Sequence, residues 1–226
     1  MDITYYGHST ILISSGETSL IIDPFIRPNP LASSIDVSSL RVSGVLLSHG
    51  HADHVADARE IAEQSEAPIV GNFEVANWFG DQGYSFNISM NHGGTVQVGG
   101  MTAKYTPALH TSSMPDGSYG GEPGGFIVKD GNKSVYFAGD TALDMNMKLI
   151  GDYDQVDLAI LPIGGHYTMD YKDAIIAADF VKCNKVLGVH YDTFPPIAID
   201  QDAVRAAFAE AGKELILLSI GESLSL

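Results

Sequence analysis

Short apolar segments recur along the whole chain, and most of them have the length of β-strands. STILISS and TSLIID lie on either side of Gly16 and Glu17, which predicts a strand, a turn and a second strand. GGFIVKDGNKSVYFAGD has the same plan, with Asp130 and Gly131 at the predicted turn. Further strands are predicted for VSGVLLSH, PIVG, the stretch through MTAKYTPALH, DLAILPIG, KVLGVHYD and, as the last one, ELILLSI.

Segments with helical periodicity separate these strands. From Asp53 onward, DHVADAREIAEQ predicts an amphipathic helix whose apolar face consists of Val55, Ala58, Ile61 and Ala62. A short helix is predicted around FEVANWF. Longer helices are predicted for DYKDAIIAADFVKC, with Asp170 as a candidate N-cap, and for AVRAAFAEAG, which Gly212 closes.

The two predicted hairpins suggest that the chain repeats one structural plan. Each hairpin is followed by an aspartate, Asp23 in the first and Asp140 in the second. VSGVLLSH and KVLGVHYD are both apolar strands that end in a histidine, so we expect them to correspond. The pattern predicts two similar halves, each a β-rich layer with helices outside. Hairpins are common, so a chance resemblance between the two segments is the alternative.

Composition and charge narrow the class of protein. The chain has 226 residues, 45% hydrophobic and 18% charged, without a linker or low-complexity segment, so we expect one domain over residues 1–226. The net charge is −16 and the 12 basic residues are scattered, which argues against nucleic acid or an anionic membrane as a partner. No apolar run reaches the roughly 18 residues of a membrane helix, and the N-terminus does not have the pattern of a signal peptide. With Cys183 as the single cysteine, the chain is expected to be cytoplasmic.

The segment LLSHGHADHV contains four potential metal ligands within six positions: His49, His51, Asp53 and His54. His49 and His51 are two residues apart at the end of a strand, so they point to the same side. Asp53 and His54 follow where the chain turns into a helix, so they can point elsewhere. A catalytic zinc ion takes three protein ligands and a water. Four ligands in two directions therefore indicate two ions that share one site.

Two ions need further ligands, and three candidates follow apolar strands later in the chain. These candidates are His110, Asp140 and His190. Each leaves its strand at the carboxyl end, where α/β sheets build their sites. A single histidine at such a place is more often structural, but the nearby cluster at residues 49–54 favours a metal site.

This order of ligands resembles the metallo-β-lactamase superfamily, whose pattern is H-x-H-x-D-H followed by a later His, a later Asp and a last His. The finer similarity covers the whole chain and is to the branch that contains L-ascorbate-6-phosphate lactonase and many metal-dependent hydrolases. The marks of that branch are G-H-S at 7–9, D-P-F at 23–25 with N-P at 29–30, S-H-G-H-x-D-H at 48–54, A-G-D-T at 138–141 and P-I-G-G-x-x-T-M at 162–169.

The resemblance implies an α/β fold, a four-layer αββα sandwich built from two similar halves, with a dinuclear site at one edge. The implied ligands are His49, His51 and His110 for a first ion, Asp53, His54 and His190 for a second, and Asp140 as the bridge. These ligand types suit Zn²⁺, which is the expected ion, and also Mn²⁺, Fe²⁺ or Ni²⁺. The branch often assembles into oligomers, so a homo-oligomer is compatible with the resemblance.

The implied reaction is hydrolysis by a hydroxide that bridges two ions roughly 3.5–4 Å apart. The expected substrate is a small-molecule lactone, ester or phosphoester, and Asp53 would ligate one ion and orient the nucleophile. A phosphodiesterase that acts on a nucleotide-like substrate is one alternative. A non-catalytic metal-binding or regulatory module is another, although the complete ligand set argues against it.

Three further residues are candidates for contact with the substrate. His166, after a buried strand, could donate a proton or bind a substrate oxygen, or it could be a loop residue held by local hydrogen bonds. His8 in G-H-S could line the pocket or support a ligand from behind. Arg27 could clamp an anion, or it could be a solvated surface residue. The glycine-rich stretch within residues 111–125 predicts a flexible loop beside the site, which could act as a lid.

Other members of the superfamily fit this chain less well. Flavin-linked di-iron oxygen reductases have a glutamate where this chain has His51, and true β-lactamases have no bridging aspartate such as Asp140. Nucleases that process transfer RNA carry a basic RNA-binding arm, which disagrees with the acidic composition found here.

Overall fold

The computed structural model describes residues 1–131 and 133–226. Within them the chain forms two seven-stranded sheets and six α-helices. The strands are β1 (Asp2–Tyr5), β2 (Ile11–Ser15), β3 (Thr18–Ile22), β4 (Gly44–Leu46), β5 (Ile69–Asn72), β6 (Asn87–Met90), β7 (Thr95–Val98), β8 (Met101–Pro107), β9 (Gly124–Asp130), β10 (Lys133–Phe137), β11 (Leu158–Pro162), β12 (Lys185–Val189), β13 (Glu214–Ile216) and β14 (Ser223–Ser225). The helices are α1 (Ala52–Val55), α2 (Ala58–Ser65), α3 (Phe73–Asp81), α4 (Asn146–Tyr153), α5 (Tyr171–Phe180) and α6 (Gln201–Glu210).

The buried apolar side chains form three clusters, which define four layers. The largest cluster contains residues of both sheets, such as Ile13 and Phe126, and therefore lies between the sheets. A second cluster packs β10–β12 against α4, α5 and α6. A third packs β3–β5 against α1, α2 and α3. The layers are thus helix, sheet, sheet and helix, which confirms the expected αββα sandwich.

The strand order confirms the two similar halves. One sheet has the order β14-β1-β2-β3-β4-β5-β6 and the other the order β7-β8-β9-β10-β11-β12-β13. In each, the first three neighbouring pairs are antiparallel and the last three are parallel. The hairpin β2–β3 therefore corresponds to β9–β10, as expected. The expected match of β4 with β12 is wrong by one strand, since β4 occupies the position of β11.

One edge strand (β14), its neighbour (β1) and one helix were not expected from the sequence. β1 and β14 pair antiparallel, with Ile3 opposite Leu224. ELILLSI is therefore not the last strand, because only its first residues form β13 and the chain then returns to the other sheet. β14 has three residues and β1 four, so neither carries enough alternation to be recognised. α4, which packs Met147 and Ile150 into the second cluster, was also missed.

The helix expected over residues 53–64 is interrupted. Asp57 lies between α1 and α2, and its carboxylate accepts hydrogen bonds from the backbone N–H groups of Ile26 (2.6 Å) and Arg27 (3.0 Å). These bonds join the break between α1 and α2 to the loop that follows β3. The two segments are about thirty residues apart, so the periodicity of the sequence cannot indicate this contact. The expected apolar face is nevertheless buried: Val55, Ala58, Ile61 and Ala62.

Local signals at other element ends are confirmed. Asp170 caps α5 by accepting from the N–H groups of Lys172 (2.8 Å) and Asp173 (3.1 Å). Gly212 follows α6 with a φ of 69°, a conformation that favours glycine. β9 and β10 pair as the second hairpin, and Asn132 in its turn lies outside the described residues. Among the described residues, the helices are all too short or too polar to cross a membrane.

Candidate metal centre

Histidine and aspartate side chains from both halves meet where strands end. The segment after β4 supplies four of them, and the segments after β8, β10 and β12 supply one each. β8, β10 and β12 run in the same direction, because β9 is antiparallel to both β8 and β10 while β11 is parallel to both β10 and β12. Their carboxyl ends therefore lie at one edge of the sheet. The structure brings together there His49, His51, Asp53, His54, His110, Asp140 and His190.

One group at this edge consists of His49, His51 and His110. A ring nitrogen of each lies within 4.8 Å of the other two. Nε2 of His49 is 2.9 Å from Nδ1 of His51, and the rings of His49 and His110 are perpendicular with centroids 5.2 Å apart. Three imidazoles that converge on one point are able to bind a divalent ion.

A second group consists of His8, Asp53, His54 and His190, again with donor atoms within 4.8 Å of one another. Nε2 of His54 lies 3.9 Å from Oδ2 of Asp53. The rings of His54 and His190 are stacked, with centroids 6.1 Å apart. His49 and His51 thus belong to the first group, and Asp53 and His54 to the second, although the rings of His49 and His54 adjoin with centroids 4.1 Å apart.

Asp140 lies between the two groups. Its Oδ2 atom is 3.0 Å from Nε2 of His190 and 3.4 Å from Nε2 of His54, both in the second group. The same oxygen is 3.6 Å from Nε2 of His110 in the first group. One buried carboxylate oxygen is thus within reach of both groups.

The donor set fits a divalent metal ion. Nε2 of His54 and Oδ1 of Asp140 are buried without a hydrogen-bond partner among the described residues. Buried polar atoms are rarely left unpaired, because desolvation costs free energy. Both atoms belong to the cluster, and coordination of a cation would satisfy them. Imidazole nitrogens and carboxylate oxygens suit Zn²⁺ and also Mn²⁺, Fe²⁺ or Ni²⁺.

Asp23 orients one histidine in each group. Its fully buried carboxylate lies 2.8 Å from Nδ1 of His54 and also accepts from the N–H (2.8 Å) and the hydroxyl (2.5 Å) of Ser48. The Ser48 hydroxyl oxygen in turn lies 2.9 Å from Nδ1 of His49. An ionised Asp23 accepts only, so protons lie on both Nδ1 atoms and Nε2 is the atom of each ring that faces the cluster. The sequence prediction did not assign this role, although D-P-F was noted as a motif.

His8 is buried behind Asp53. Its Nε2 lies 3.1 Å from Oδ2 of Asp53 and its Nδ1 lies 3.0 Å from Oγ1 of Thr193. A carboxylate can only accept, so Nε2–H donates to Asp53 and Nδ1 accepts from the Thr193 hydroxyl. The backbone of His8 has a φ of 53° and its carbonyl accepts from the N–H of His190 (2.8 Å). This placement suits the support of Asp53 better than contact with a substrate.

Burial and neighbouring charges prepare the cluster for a cation. Burial lowers the pKa values of His49, His51 and His110, so these rings are neutral at pH 7 and their lone pairs are available. Burial also opposes a charge on His54, but the carboxylates of Asp140 and Asp23 outweigh it and raise its pKa. The same two carboxylates that favour a proton on His54 favour a metal cation beside it.

Neighbouring histidines favour the ionised forms of Asp53 and Asp140. Burial alone would raise the pKa of Asp53, but the hydrogen bond from His8 and the nearby His54 bring it below its ordinary value. Burial alone would also raise the pKa of Asp140, but the nearby His54 and His190 bring it well below its ordinary value. Burial lowers the pKa of His8 to about 4, so this ring is neutral at pH 7. The cluster thus combines the anionic oxygens of Asp53 and Asp140 with the neutral rings of the first group.

A cavity of about 670 Å³ opens over the cluster. Its floor is formed by His51, Asp53, His110, Asp140 and His190. Its walls include the aromatic side chains of Phe25, Tyr167 and Phe194. The volume is that of a small-molecule site.

The other predicted contact residues lie outside the cavity lining. Arg27 is exposed, and its guanidinium pairs with Glu60 on the surface. His166 is exposed, and its ring packs edge-on against Tyr167 at a centroid distance of 4.5 Å. Of residues 111–125, Thr111 contributes to the lining.

The expected flexible loop, residues 111–125, is anchored by hydrogen bonds. Ser112 Oγ accepts from the N–H of Gly50 (3.1 Å) and donates to the carbonyl of Gly120 (2.8 Å). Asn72 Nδ2 donates to the same carbonyl (2.7 Å), and Trp78 Nε1 donates to Asp116 (2.7 Å). These bonds attach the loop to α3 and to the segment after β4.

Substitution of Thr193 tests whether the hydrogen bond between Thr193 and His8 helps to hold Asp53 in place. Thr193→Val removes the hydroxyl that donates to His8 at nearly constant shape, and we expect metal affinity at the second group to fall about tenfold. Thr193→Ser keeps the hydroxyl and should bind metal like the original protein. Titration calorimetry with Zn²⁺ measures both. Equal affinities for the two variants would contradict the proposed support.

Comparisons with known proteins agree with this geometry. A family model described as a beta-lactamase superfamily domain matches residues 18–191. A UPF0173 metal-dependent hydrolase from Christiangramia forsetii is 48% identical over 227 residues, with 100% of both chains covered. The UPF0173 metal-dependent hydrolase TTHA1283 from Thermus thermophilus is 41% identical, with 100% of this chain and 99% of the relative covered. The solved structure of Igni18, a metallo hydrolase from the archaeon Ignicoccus hospitalis, is 33% identical with a TM-score of 0.89, covering 99% of this chain and 97% of that one.

The chain belongs to the beta-lactamase superfamily. Within it, the chain is a metal-dependent hydrolase with histidine and aspartate groups able to bind metal. The resemblance inferred from the sequence motifs is thereby confirmed.

Proposed function

We propose that the protein is a dinuclear hydrolase that opens a lactone or ester bond of a small molecule, with residues 1–226 as one catalytic domain. The observation that carries this proposal is the position of Asp140, whose Oδ2 lies within 3.6 Å of histidines from both groups. One carboxylate placed in this way can bridge two ions. A single-ion site would not need both groups.

The ligands of the proposed centre follow the two groups. His49, His51 and His110 would hold a first ion, Asp53, His54 and His190 would hold a second, and Asp140 would contribute to both. Zn²⁺ is the first choice for these donors, with Mn²⁺ next. When bound, such ions would make hydroxide available near neutral pH and would polarise the carbonyl oxygen of the ester or lactone.

The remaining roles belong to the protein. Asp53 lies at the cavity floor, about one-third exposed, and His8 holds its carboxylate so that it can orient the nucleophile. Asp23 orients the rings of His49 and His54 through their Nδ1 atoms, so that Nε2 of each ring faces the cluster. The aromatic walls provide apolar surface beside the bound substrate. His166, expected to donate a proton, lies outside the lining and receives no role.

Neither alternative is favoured by a specific contact. A phosphodiesterase needs a charge partner for a second phosphate oxygen, and Arg27, the candidate clamp, is paired with Glu60 instead. A non-catalytic module does not need a cavity above its metal ligands. Of the three functions, hydrolysis of a small molecule therefore accounts for the most features of the site.

The test is turnover by the protein loaded separately with Zn²⁺ and with Mn²⁺. The substrates are simple lactones, aryl esters, sugar-phosphate lactones and phosphodiesters. We expect lactone or ester opening that disappears when a chelator removes the metal and returns when two equivalents are restored. Cleavage of phosphodiesters alone would favour the alternative enzyme. Two bound ions without turnover of any substrate would contradict the proposal and favour the non-catalytic module.

A further inference from the structure

The walls of the cavity differ in character from its floor. Apart from the candidate metal ligands, most of the lining side chains are apolar or aromatic: Phe25, Ala52, Tyr167 and Phe194. Among the described residues, those that line the cavity include neither lysine nor arginine. A substituent that extends from the floor along these walls would meet hydrophobic surface without a positive charge.

Two of the aromatic walls are held in place by the surrounding structure. Phe25 is 7% exposed, and its N–H donates to Oγ1 of Thr10 (2.9 Å). Phe194 is fixed through its carbonyl, which accepts from the N–H of Ile197 (3.0 Å). The two phenyl rings have centroids 6.3 Å apart, and the ring of His8 packs edge-on against both, at 5.5 and 5.4 Å. Because these rings are already ordered, little conformational entropy is lost when a ligand binds between them and the floor.

The charges around the cavity disfavour an anionic substituent. The chain carries a net charge of −16, which repels anions at a distance. Ions bound at the floor would bring positive charge, but only where the bond to be broken lies. A carboxylate or phosphate further along the substrate would lose water at the aromatic walls and find no partner, which costs free energy.

We propose that the cavity selects uncharged substrates that carry an apolar substituent, and that Phe194, Phe25 and Tyr167 bind this substituent. The inference rests on the proposed function and narrows its substrate class, since it excludes phosphorylated or carboxylated lactones and esters. Phe194 and Tyr167 determine specificity because they are the more accessible walls, with Tyr167 53% exposed.

Binding affinity tests this inference independently of turnover. The ligands are two γ-lactams, which resist hydrolysis, one with a hexyl chain and the other with a 5-carboxypentyl chain. Titration calorimetry on the full, metal-loaded protein should give at least about tenfold tighter binding of the hexyl lactam. Phe194→Ala should weaken the hexyl lactam by about tenfold and leave the carboxypentyl lactam unchanged. Phe194→Lys should reverse the preference.

Control variants separate the wall from general effects of substitution. Phe86→Ala removes another phenyl ring, 51% exposed and outside the lining, and should leave both affinities unchanged. Circular dichroism and metal content show whether each variant folds and loads. If Phe194→Ala does not fold, Tyr167→Ala makes the same test at the exposed wall, with the same selective loss of the hexyl lactam expected.

The results distinguish the two proposals. Tighter or equal binding of the carboxypentyl lactam overturns the inference, and so does weak binding of both lactams. The inference also fails if neither wall variant changes the ratio of the hexyl-lactam affinity to the carboxypentyl-lactam affinity. Turnover of the corresponding lactones is measured in parallel. A preference for hexyl binding without lactone turnover supports the inference while the proposed function fails. Turnover that favours the carboxypentyl lactone leaves the function standing and rejects the selectivity.

Discussion

Asp140→Asn is expected to remove at least one bound ion and to lower turnover by about 10³-fold or more. The side chain keeps its size but loses the charge that faces His54, His110 and His190. Metal ions contribute several kcal/mol to the stabilisation of the transition state, and each 1.36 kcal/mol corresponds to a factor of ten. A neutral amide at this position cannot serve as an anionic bridge between the two groups.

The matched control for this substitution is Asp152→Asn. Asp152 pairs with Lys182 at 2.6 Å, but both side chains are more than half exposed, so the pair contributes little. Metal content by mass spectrometry and turnover should be unchanged in this variant. Two ions per chain together with full activity in Asp140→Asn would refute the bridging assignment.

The second large effect is expected for Asp23→Asn, which should weaken metal binding by about 10–100-fold and lower the free energy of unfolding by about 1–3 kcal/mol. Asp23 is fully buried and lies 2.8 Å from Nδ1 of His54. An asparagine presents an NH₂ group either to His54 or to Ser48. If it faces His54, the histidine proton moves to Nε2, the atom that would bind the metal. Asparagine tolerates the left-handed backbone at this position (φ 48°), so the backbone is not the cause of the loss.

Asp36→Asn is the matched control for Asp23→Asn. Asp36 accepts hydrogen bonds from the N–H (3.1 Å) and hydroxyl (2.6 Å) of Ser38, much as Asp23 does from Ser48, but it is exposed and faces no histidine. Calorimetric titration with Zn²⁺ and chemical unfolding should show little change for this variant. Equal losses in both variants would mean that Asp23 acts only as a turn residue.

Helices and strands can be predicted from local sequence patterns where the segment is long and its residues are uniformly buried. DLAILPIG is apolar throughout, and the strand it forms, Leu158–Pro162, is buried at every residue. Asp170 precedes a periodic segment and caps α5. The break at Asp57 and the pairing of β1 with β14 were missed, because they depend on partners far away in the chain. Propensity and periodicity describe neighbours and contain no information about such partners.

The candidate metal ligands show the same contrast between what local spacing indicates and what depends on distant partners. The spacing of His49, His51, Asp53 and His54 indicates two directions. In the structure the first two residues group with His110 and the last two with His190, while the rings of His49 and His54 adjoin with centroids 4.1 Å apart. The support of Asp53 by His8 joins residues 45 positions apart, and that of His8 by Thr193 joins residues 185 positions apart. No motif spacing connects those pairs, so their contacts could not be derived from the sequence.

The sequence by itself determined the kinds of donor atoms, their division into two groups, and the repetition of one β-rich plan, because these depend on side-chain chemistry and on spacing within a few residues. Only the tertiary structure decided which histidine lies behind Asp53, that His166 and Arg27 lie outside the cavity, and that phenyl rings form its walls. Those outcomes depend on where loops from different strands meet at the edge of two packed sheets. That meeting is set by long-range packing, which local sequence patterns do not encode.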